Sequence, residues 1–420
     1  MDLNEAKTLA AGLAERLAPE TVNISSAPGR VLAESVCADR DMPSNPISKW
    51  DGFAIISKDC LTARPGAPVI LPVAAQDAVA GHMPAKAAGR TCVRIMTGSV
   101  LPSGTDVVVA FEDATLGEKG LVVTKPLRPG DGVIQQACQA TRGDILLRDG
   151  DVLTPTRLSL AAAAGRQSVR LVRRPRVAIL ATGDELRESG RGDRSISFFC
   201  NNSHLFASLV LGAGGLPVEL GVAPDDPGVI YSRLEKVEAD LVITTGGMGK
   251  GSKDFIAKVW ERLGLAIRFD RLNLVPGKSS GLATGNGTIF LGLPGNPLAA
   301  RIVYEEIGAP MIRSFLGLNI ESDFALQARA TRPMQKREGL YRALDGVLEI
   351  RDSLCAFAPN RPESGSRPFS SLRNTLAYAL LPPGDRPVAE GEMVQVKIPD
   401  LPLPGWAVFF AGNSSKKHAL

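Results

Sequence analysis

The chain has little histidine. Only His82, His204 and His418 occur in 420 residues, too few for a His-rich metal site or a Ser-His-Asp triad. Cysteine is sparse as well. Cys37, Cys60, Cys92, Cys138, Cys200 and Cys355 lie far apart, and no C-x-x-C pair occurs. A zinc cluster is therefore not expected, and reduced thiols are. Transmembrane runs are missing, and the N-terminus begins as a helix without a signal-peptide pattern, so a cytoplasmic protein is expected, with no membrane partner. Aromatics make up 5% of the chain, and its net charge of +4 is scattered rather than arranged as a basic stripe with aromatics. Nucleic-acid binding is not favoured on that pattern. With soft ligands scarce, any metal is expected to be a hard cation on oxygen.

What is present is a 44% hydrophobic chain of 420 residues, a length that suggests about two to four domains. Residues 1–18 read as an amphipathic helix, with Leu3, Leu9, Leu13 and Leu17 near one face. Between about 51 and 146, short apolar runs alternate with turn signals: 53–56, 69–73, 92–96, 106–111 and 121–124. That pattern predicts a small all-β unit. From Arg176 to about Leu318 strands alternate with helices, which predicts a parallel α/β sheet. Short strands return from about 327 to 400 as a second β unit, and the tail after Phe410 is read as disordered. The expected fold is thus multidomain, α/β plus all-β.

The most informative stretch runs from Asp240 to Asp254. Leu241 to Thr245 is an apolar, β-branched run that breaks into four glycines between Gly246 and Gly251. A helical pattern follows from Phe255. Strand, glycine loop and helix start form a phosphate cradle, because the backbone approaches closely and helix N–H groups are available. Lys250 and Lys253 add positive charge. Asp254 repels a phosphate unless a cation lies between them, so it implies either a metal-bound phosphate ligand or only a helix cap. The loop is neither a Walker A nor a G-x-G-x-x-G motif.

In an open parallel sheet, ligands bind outside the carboxyl ends of the strands. Four strand ends here carry polar or glycine-rich loops: Thr182-Gly-Asp-Glu185, Asp225-Asp226, Gly246 to Asp254, and Pro294-Gly-Asn-Pro297. Pro276-Gly-Lys-Ser-Ser adds Lys278 as an oxyanion contact. Each has a plainer reading as a cap or turn: Asn296 and Pro297 suit the first positions of a helix, and Asp225-Asp226-Pro suits a cap and turn. Together they are what a metal-bridged phosphate or oxyanion site needs.

These motifs, with Trp50-Asp-Gly-Phe-Ala, Arg94-Ile-Met-Thr-Gly, Pro102 and Gly104, and Ser364-Gly-Ser with Ser370-Ser-Leu, resemble the molybdopterin molybdenumtransferases (MoeA and the gephyrin E domain). The resemblance follows the family order over nearly the whole chain. It implies four domains in a homodimer: 1–45 with 147–175, a β-rich insert 46–146, an α/β domain 176–326 similar to the molybdopterin adenylyltransferase fold, and a β domain 327–411 before a tail at 412–420. It implies Mg²⁺-dependent insertion of molybdate into adenylylated molybdopterin with release of AMP. Carried over, Asp184, Glu185, Asp226 and Asp254 surround metal and phosphates, with Asp184, Glu185 and Asp254 as metal ligands. Asp51 and Thr97 of the partner subunit complete the site. Thr182, Gly183, Thr245, Gly246, Gly247, Gly249 and Ser252, with Pro294, Gly295, Asn296 and Pro297, hold the pterin or phosphates. Lys278 lies near the oxyanion. A molybdopterin adenylyltransferase or a molybdoenzyme is the implied partner.

The sequence departs from that family pattern. The acids of a Gly-Glu-Asp in the insert fall on Cys138-Gln-Ala140, and an Asp-[Ser/Thr]-Asn falls on Cys200-Asn-Asn202. Val275 stands for a lysine, Ser279 for a proline, Asp345 for an arginine and Trp50 for a methionine. Retained acids and Lys278 favour an active transferase. The replacements favour a non-catalytic paralogue that holds molybdopterin for a partner enzyme. A transferase acting on a modified cofactor or another oxyanion is a third reading.

Overall fold

A computed structural model describes residues 1–187, 198–249, 255–318, 325–351, 354–360 and 377–398. The expectations placed on Lys250, Gly251, Ser252, Lys253 and Asp254, on the Ser364 and Ser370 motif, and on the tail 412–420 lie outside the described residues. The chain divides into two compact units: 1–34 with 149–158 and 168–420, and 35–148 with 159–167.

The first unit holds a six-stranded sheet. Its strands are β1 (Arg176–Thr182), β2 (Leu216–Ala223), β3 (Leu241–Thr245), β4 (Ala266–Phe269), β5 (Gly281–Gly285) and β6 (Thr288–Leu293). They lie in the order β2-β1-β3-β6-β5-β4. The four expected strands, β1, β2, β3 and β6, are parallel. β5 runs antiparallel to β6, and β4, antiparallel to β5, runs in the same direction as the four, so the expected parallel sheet is a mixed one. Neither added strand carries a sustained β-branched run: one reads Ala-Ile-Arg-Phe, the other Gly-Leu-Ala-Thr-Gly.

Helices α1 (Asn202–Gly212), α2 (Pro227–Leu234), α3 (Ile256–Arg262) and α4 (Pro297–Val303) follow β1, β2, β3 and β6. Successive strand residues point to opposite faces. Ile179, Ile243 and Leu291 share a core with Phe206 and Val210 of α1. Leu180, Val242 and Phe290 pack with Ile230 of α2 and with Val259 and Trp260 of α3. Both faces are covered, which is why these strands read as unbroken apolar runs rather than alternating ones. The N-terminal helix Leu3–Leu13 adds Leu3, Ala6 and Ala10 to the α1-side core.

The C-terminal strands of this unit close into a ring. Tyr341–Arg351 pairs with Leu354–Pro359 on one side and Ala377–Leu381 on the other. Ala325–Ala330 and Met393–Lys397 complete the circuit. Ring closure leaves no free edges among these strands.

The second unit is β-rich. Gly52–Ile55 lies between Val93–Ile95 and Val107–Ala110, and Gly120–Val123 lies between Val69–Leu71 and Thr115–Gly117. Phe53, Ile55, Leu71 and Leu121 form its core with Cys60 and Cys92. Burial pushes the Cys60 thiol up to about 11. All six cysteines are unpaired.

Candidate functional site

The sheet order reverses next to β1, whose neighbours are β2 and β3. Such a switch point opens a crevice at the carboxyl ends of the strands. A cavity of about 300 Å³ lies there, within the size range of small-molecule sites. Its wall comes from Thr182, Gly183, Glu185 and Leu186 after β1, Asp225 after β2, Thr245 to Gly247 after β3, Gly295 after β6, and Cys200 to Asn202 at α1.

The loop after β1 is a tight turn. Leu186 N donates to Gly183 O at 3.1 Å, and Gly183 N donates to Ala223 O at 3.1 Å. That second bond ties the loop to the end of β2. Asp225 N donates to Asp184 Oδ1 at 3.1 Å, and Asp184 N donates to Asp225 Oδ2 at 3.4 Å. Two acidic loops are thus held together by reciprocal hydrogen bonds from backbone N–H groups, which offset carboxylate repulsion. Arg187 Nη1 donates to the carbonyls of Asp184 at 2.8 Å and Leu186 at 2.7 Å, clamping the turn.

Asp226 takes the place that its cap-and-turn reading gives it. Its Oδ1 accepts from Gly228 N at 2.7 Å and Val229 N at 2.9 Å, capping α2 ahead of Pro227. Among the described residues, Asp225 rather than Asp226 lines the cavity. The adjacent pair was visible in the sequence. The signal separating its members is the following proline, which makes Asp226 the cap and frees Asp225 to face the ligand side.

The glycine loop after β3 has a steric cause. Gly246 has φ +95°, and a Cβ there would lie 2.5 Å from Thr182 O. Gly247 has φ +65°, and its Cβ would meet Ile256 Cγ1 at 3.0 Å. Gly246 N donates to Leu293 O at 3.0 Å, joining the loop to the end of β6. Gly247 O accepts from Ile256 N at 3.1 Å. The loop backbone therefore leads into α3, whose cap position is Phe255 with no side-chain hydrogen bond. Gly249 is exposed and not among the residues lining the cavity.

After β6, Asn296 caps α4 by accepting from Leu298 N at 3.1 Å and Ala299 N at 3.2 Å, with Pro297 at the first turn, as expected. Gly295 lines the cavity; Pro294 is half-buried. Lys278 is exposed and does not line the cavity. It lies on the same sheet edge, because antiparallel β5 starts beside the carboxyl end of β6, with Gly281 opposite Gly292.

Several replaced positions are structural. Cys200 is buried with Sγ 3.3 Å from Ser203 Oγ. Ala140 is buried, and its carbonyl accepts from Met42 N at 2.8 Å from the Ala140 O side of an isolated bridge. Asp345 is buried in the C-terminal ring, where Oδ2 accepts from Asn360 Nδ2 at 2.8 Å. Val275 pairs in strand Leu274–Val275 with Arg342. In the β-rich unit, Asp51 and Thr97 meet: Asp51 Oδ1 accepts from Thr97 N at 2.7 Å and Thr97 Oγ1 at 2.8 Å. The Thr97 backbone N–H, and then its hydroxyl, hold the exposed Asp51 carboxyl below its ordinary range.

Residues 1–165 match the MoeA N-terminal region (domain I and II), and residues 178–314 match the probable molybdopterin binding domain. A molybdopterin molybdenumtransferase 2 of Mycobacterium tuberculosis is 32% identical, over 78% of this chain and 84% of its own length. A molybdopterin molybdenumtransferase of Nostoc is 30% identical, over 90% of this chain and 88% of its own. A solved molybdopterin biosynthesis MoeA protein from Pyrococcus horikoshii superposes with a TM-score of 0.84 at 26% identity, over 95% of this chain and 98% of that one. On the relatives' identity and coverage together with this fold, the chain belongs to the molybdopterin molybdenumtransferase family.

Proposed function

We propose that the protein acts in molybdenum cofactor biosynthesis, inserting molybdate into adenylylated molybdopterin with Mg²⁺ and releasing AMP. The observation that carries this reading is the cavity at the β1/β3 switch point, where Glu185 and Asp225 stand beside the glycine loop. Among the described residues, no three His, Cys, Asp or Glu side chains form a metal-holding group. Mg²⁺ binds through one or two carboxylates plus substrate phosphates and water rather than in an all-protein cage. Glu185 and Asp225, the two carboxylates in the cavity wall, are the hard oxygen donors that would hold it. When bound, Mg²⁺ neutralises the pyrophosphate and polarises the scissile phosphorus–oxygen bond.

The chain's own groups do the rest. Gly246 and Gly247 let the backbone approach the substrate where a side chain would collide. The Lys278 ammonium, on the same edge, meets oxyanion charge as it develops. Asp254, Ser252, and the Asp51–Thr97 pair belong to this proposal through the family resemblance. So do a homodimer, testable by light scattering, and an association with a molybdopterin adenylyltransferase or molybdoenzyme. For the reaction, AMP is measured on mixing protein, adenylylated molybdopterin, molybdate and Mg²⁺. Wild type should release AMP only with Mg²⁺ present, and Asp225→Asn should slow release at least tenfold. Release that ignores chelation and the Asp225→Asn change would overturn the assignment.

A second reading, a molybdopterin-binding module without turnover, is favoured by a specific observation. Cys200 stands in the cavity wall where the family pattern has an acid, and its thiol is turned to Ser203. Tight substrate binding without AMP would select it.

A further inference from the structure

From residue 246 to residue 249 the loop after β3 reads Gly-Gly-Met-Gly, so Met248 is its one side chain. Met248 is buried, although Gly249 beside it is exposed. It does not line the cavity. It packs instead with Ile256, Val259 and Trp260 in the core on the α3 face of the sheet. Two glycines make the space it fills. Gly281 of β5 lies directly opposite Gly292 of β6. Gly292 shares a sheet face with Phe290, two residues back, whose ring belongs to that same core. A Cβ at Gly292 would lie 2.5 Å from Met248 Sδ, and one at Gly281 would lie 2.5 Å from Met248 Cε. Trp260 closes the slot, with Cη2 3.0 Å and Cζ3 3.1 Å from those two positions. Neither glycine has a positive φ, so glycine is needed there for space alone. An unbranched thioether lying across two strands suits a slot of that shape.

Such an anchor answers a problem that the loop's composition sets. Glycine has more backbone freedom than any other residue, and Gly246 and Gly247 line the cavity at φ +95° and +65°. A ligand that needs one loop conformation binds more weakly in proportion to the time the loop spends in others. We infer that Met248 is the positioning residue of the glycine loop. Its side chain, seated over Gly281 and Gly292, holds Gly246 and Gly247 in the conformation that admits the substrate. Met248 touches no substrate and acts through the loop backbone alone. The inference rests on the proposed function, because the ligand whose affinity it raises is the proposed substrate.

A core residue at the other end of the sheet supplies the control. Leu265 belongs to the same core and sits over Gly285 as Met248 sits over Gly281 and Gly292, since a Cβ at Gly285 would lie 2.6 Å from Leu265 Cδ2. Gly285 ends β5 opposite Thr288, where β6 begins, away from the glycine loop. Binding of adenylylated molybdopterin to wild type, Met248→Ala, Met248→Leu and Leu265→Ala is measured by calorimetry, below the Tm of each. Both alanine variants should lower the Tm, because each empties part of one core. Only Met248→Ala should weaken binding, by roughly tenfold or more, as the loop must then be ordered by the ligand. Met248→Leu refills the slot and should bind within about threefold of wild type. If Met248→Ala does not fold, Met248→Val, which keeps part of the burial, should show the loss instead. Equal binding by wild type and the Met248 variant with the shortened side chain would overturn the inference while the proposed function stands. So would an equal loss in Leu265→Ala, or no recovery in Met248→Leu. If wild type does not bind adenylylated molybdopterin at all, the proposed function fails and the inference with it.

Discussion

Glu306 is fully buried in a π-helical turn, Tyr304–Gly308, and is not solvated at all. Lys7 Nζ and Lys397 Nζ each lie 3.0 Å from its carboxylate, and Tyr378 Oη donates to Oε1 at 2.6 Å. One carboxylate thus joins the N-terminal helix, the helical run after β6 and two strands of the C-terminal ring. Burial alone pushes its pKa up, but the charges of Lys397 and Lys7 and the Tyr378 hydroxyl outweigh that and hold it below 4.5. Removing one partner from such a cluster strands buried charge, so Glu306→Ala should cost about 3–5 kcal/mol in urea unfolding. The sign of the pH dependence follows from the lowered value. The stabilisation is present above the ordinary glutamate range and is lost as pH falls through the lowered pKa. Acid unfolding of Glu306→Gln should lack that step. Asp51 obeys the same sign on the surface. Its carboxyl, followed by NMR, should titrate below 3.8, and Thr97→Val should move the midpoint up.

At the scale of elements, the adjacent acids Asp225 and Asp226 separate cleanly. Asp226→Ala removes the α2 cap and should lower stability by about 0.5–2 kcal/mol, whereas Asp225→Ala should lower substrate affinity with little change in Tm. Equal Tm losses in both would contradict the division of roles. Gly246→Ala should be strongly destabilising, since its Cβ would sit 2.5 Å from Thr182 O in a backbone region that favours glycine. Much of this level was legible in the sequence. β3 was bounded at Leu241 and Thr245 by its β-branched run and the glycine after it, and the α4 start by Asn296 and Pro297. β4 and β5 were not, because Arg268 and the flanking glycines of β5 break any periodic pattern. Asn202 was equally hidden. A polar residue at a helix start reads as local capping, and only the contact with Gly295, 93 residues away, gives it a place in the cavity. Glu306 gave no signal either, since its partners are 299, 72 and 91 residues distant.

For the whole molecule, two compact units carry the family motifs, and among the described residues no helix is long and apolar enough to cross a membrane. The first unit supplies a switch-point cavity with hard oxygen donors and a glycine loop. The most direct measurement counts AMP released against molybdenum incorporated, using purified protein with adenylylated molybdopterin, molybdate and Mg²⁺. An active transferase releases one AMP for each molybdenum placed in the cofactor, over repeated turnovers. Saturable binding of adenylylated molybdopterin with neither AMP nor molybdenum-loaded cofactor would contradict it.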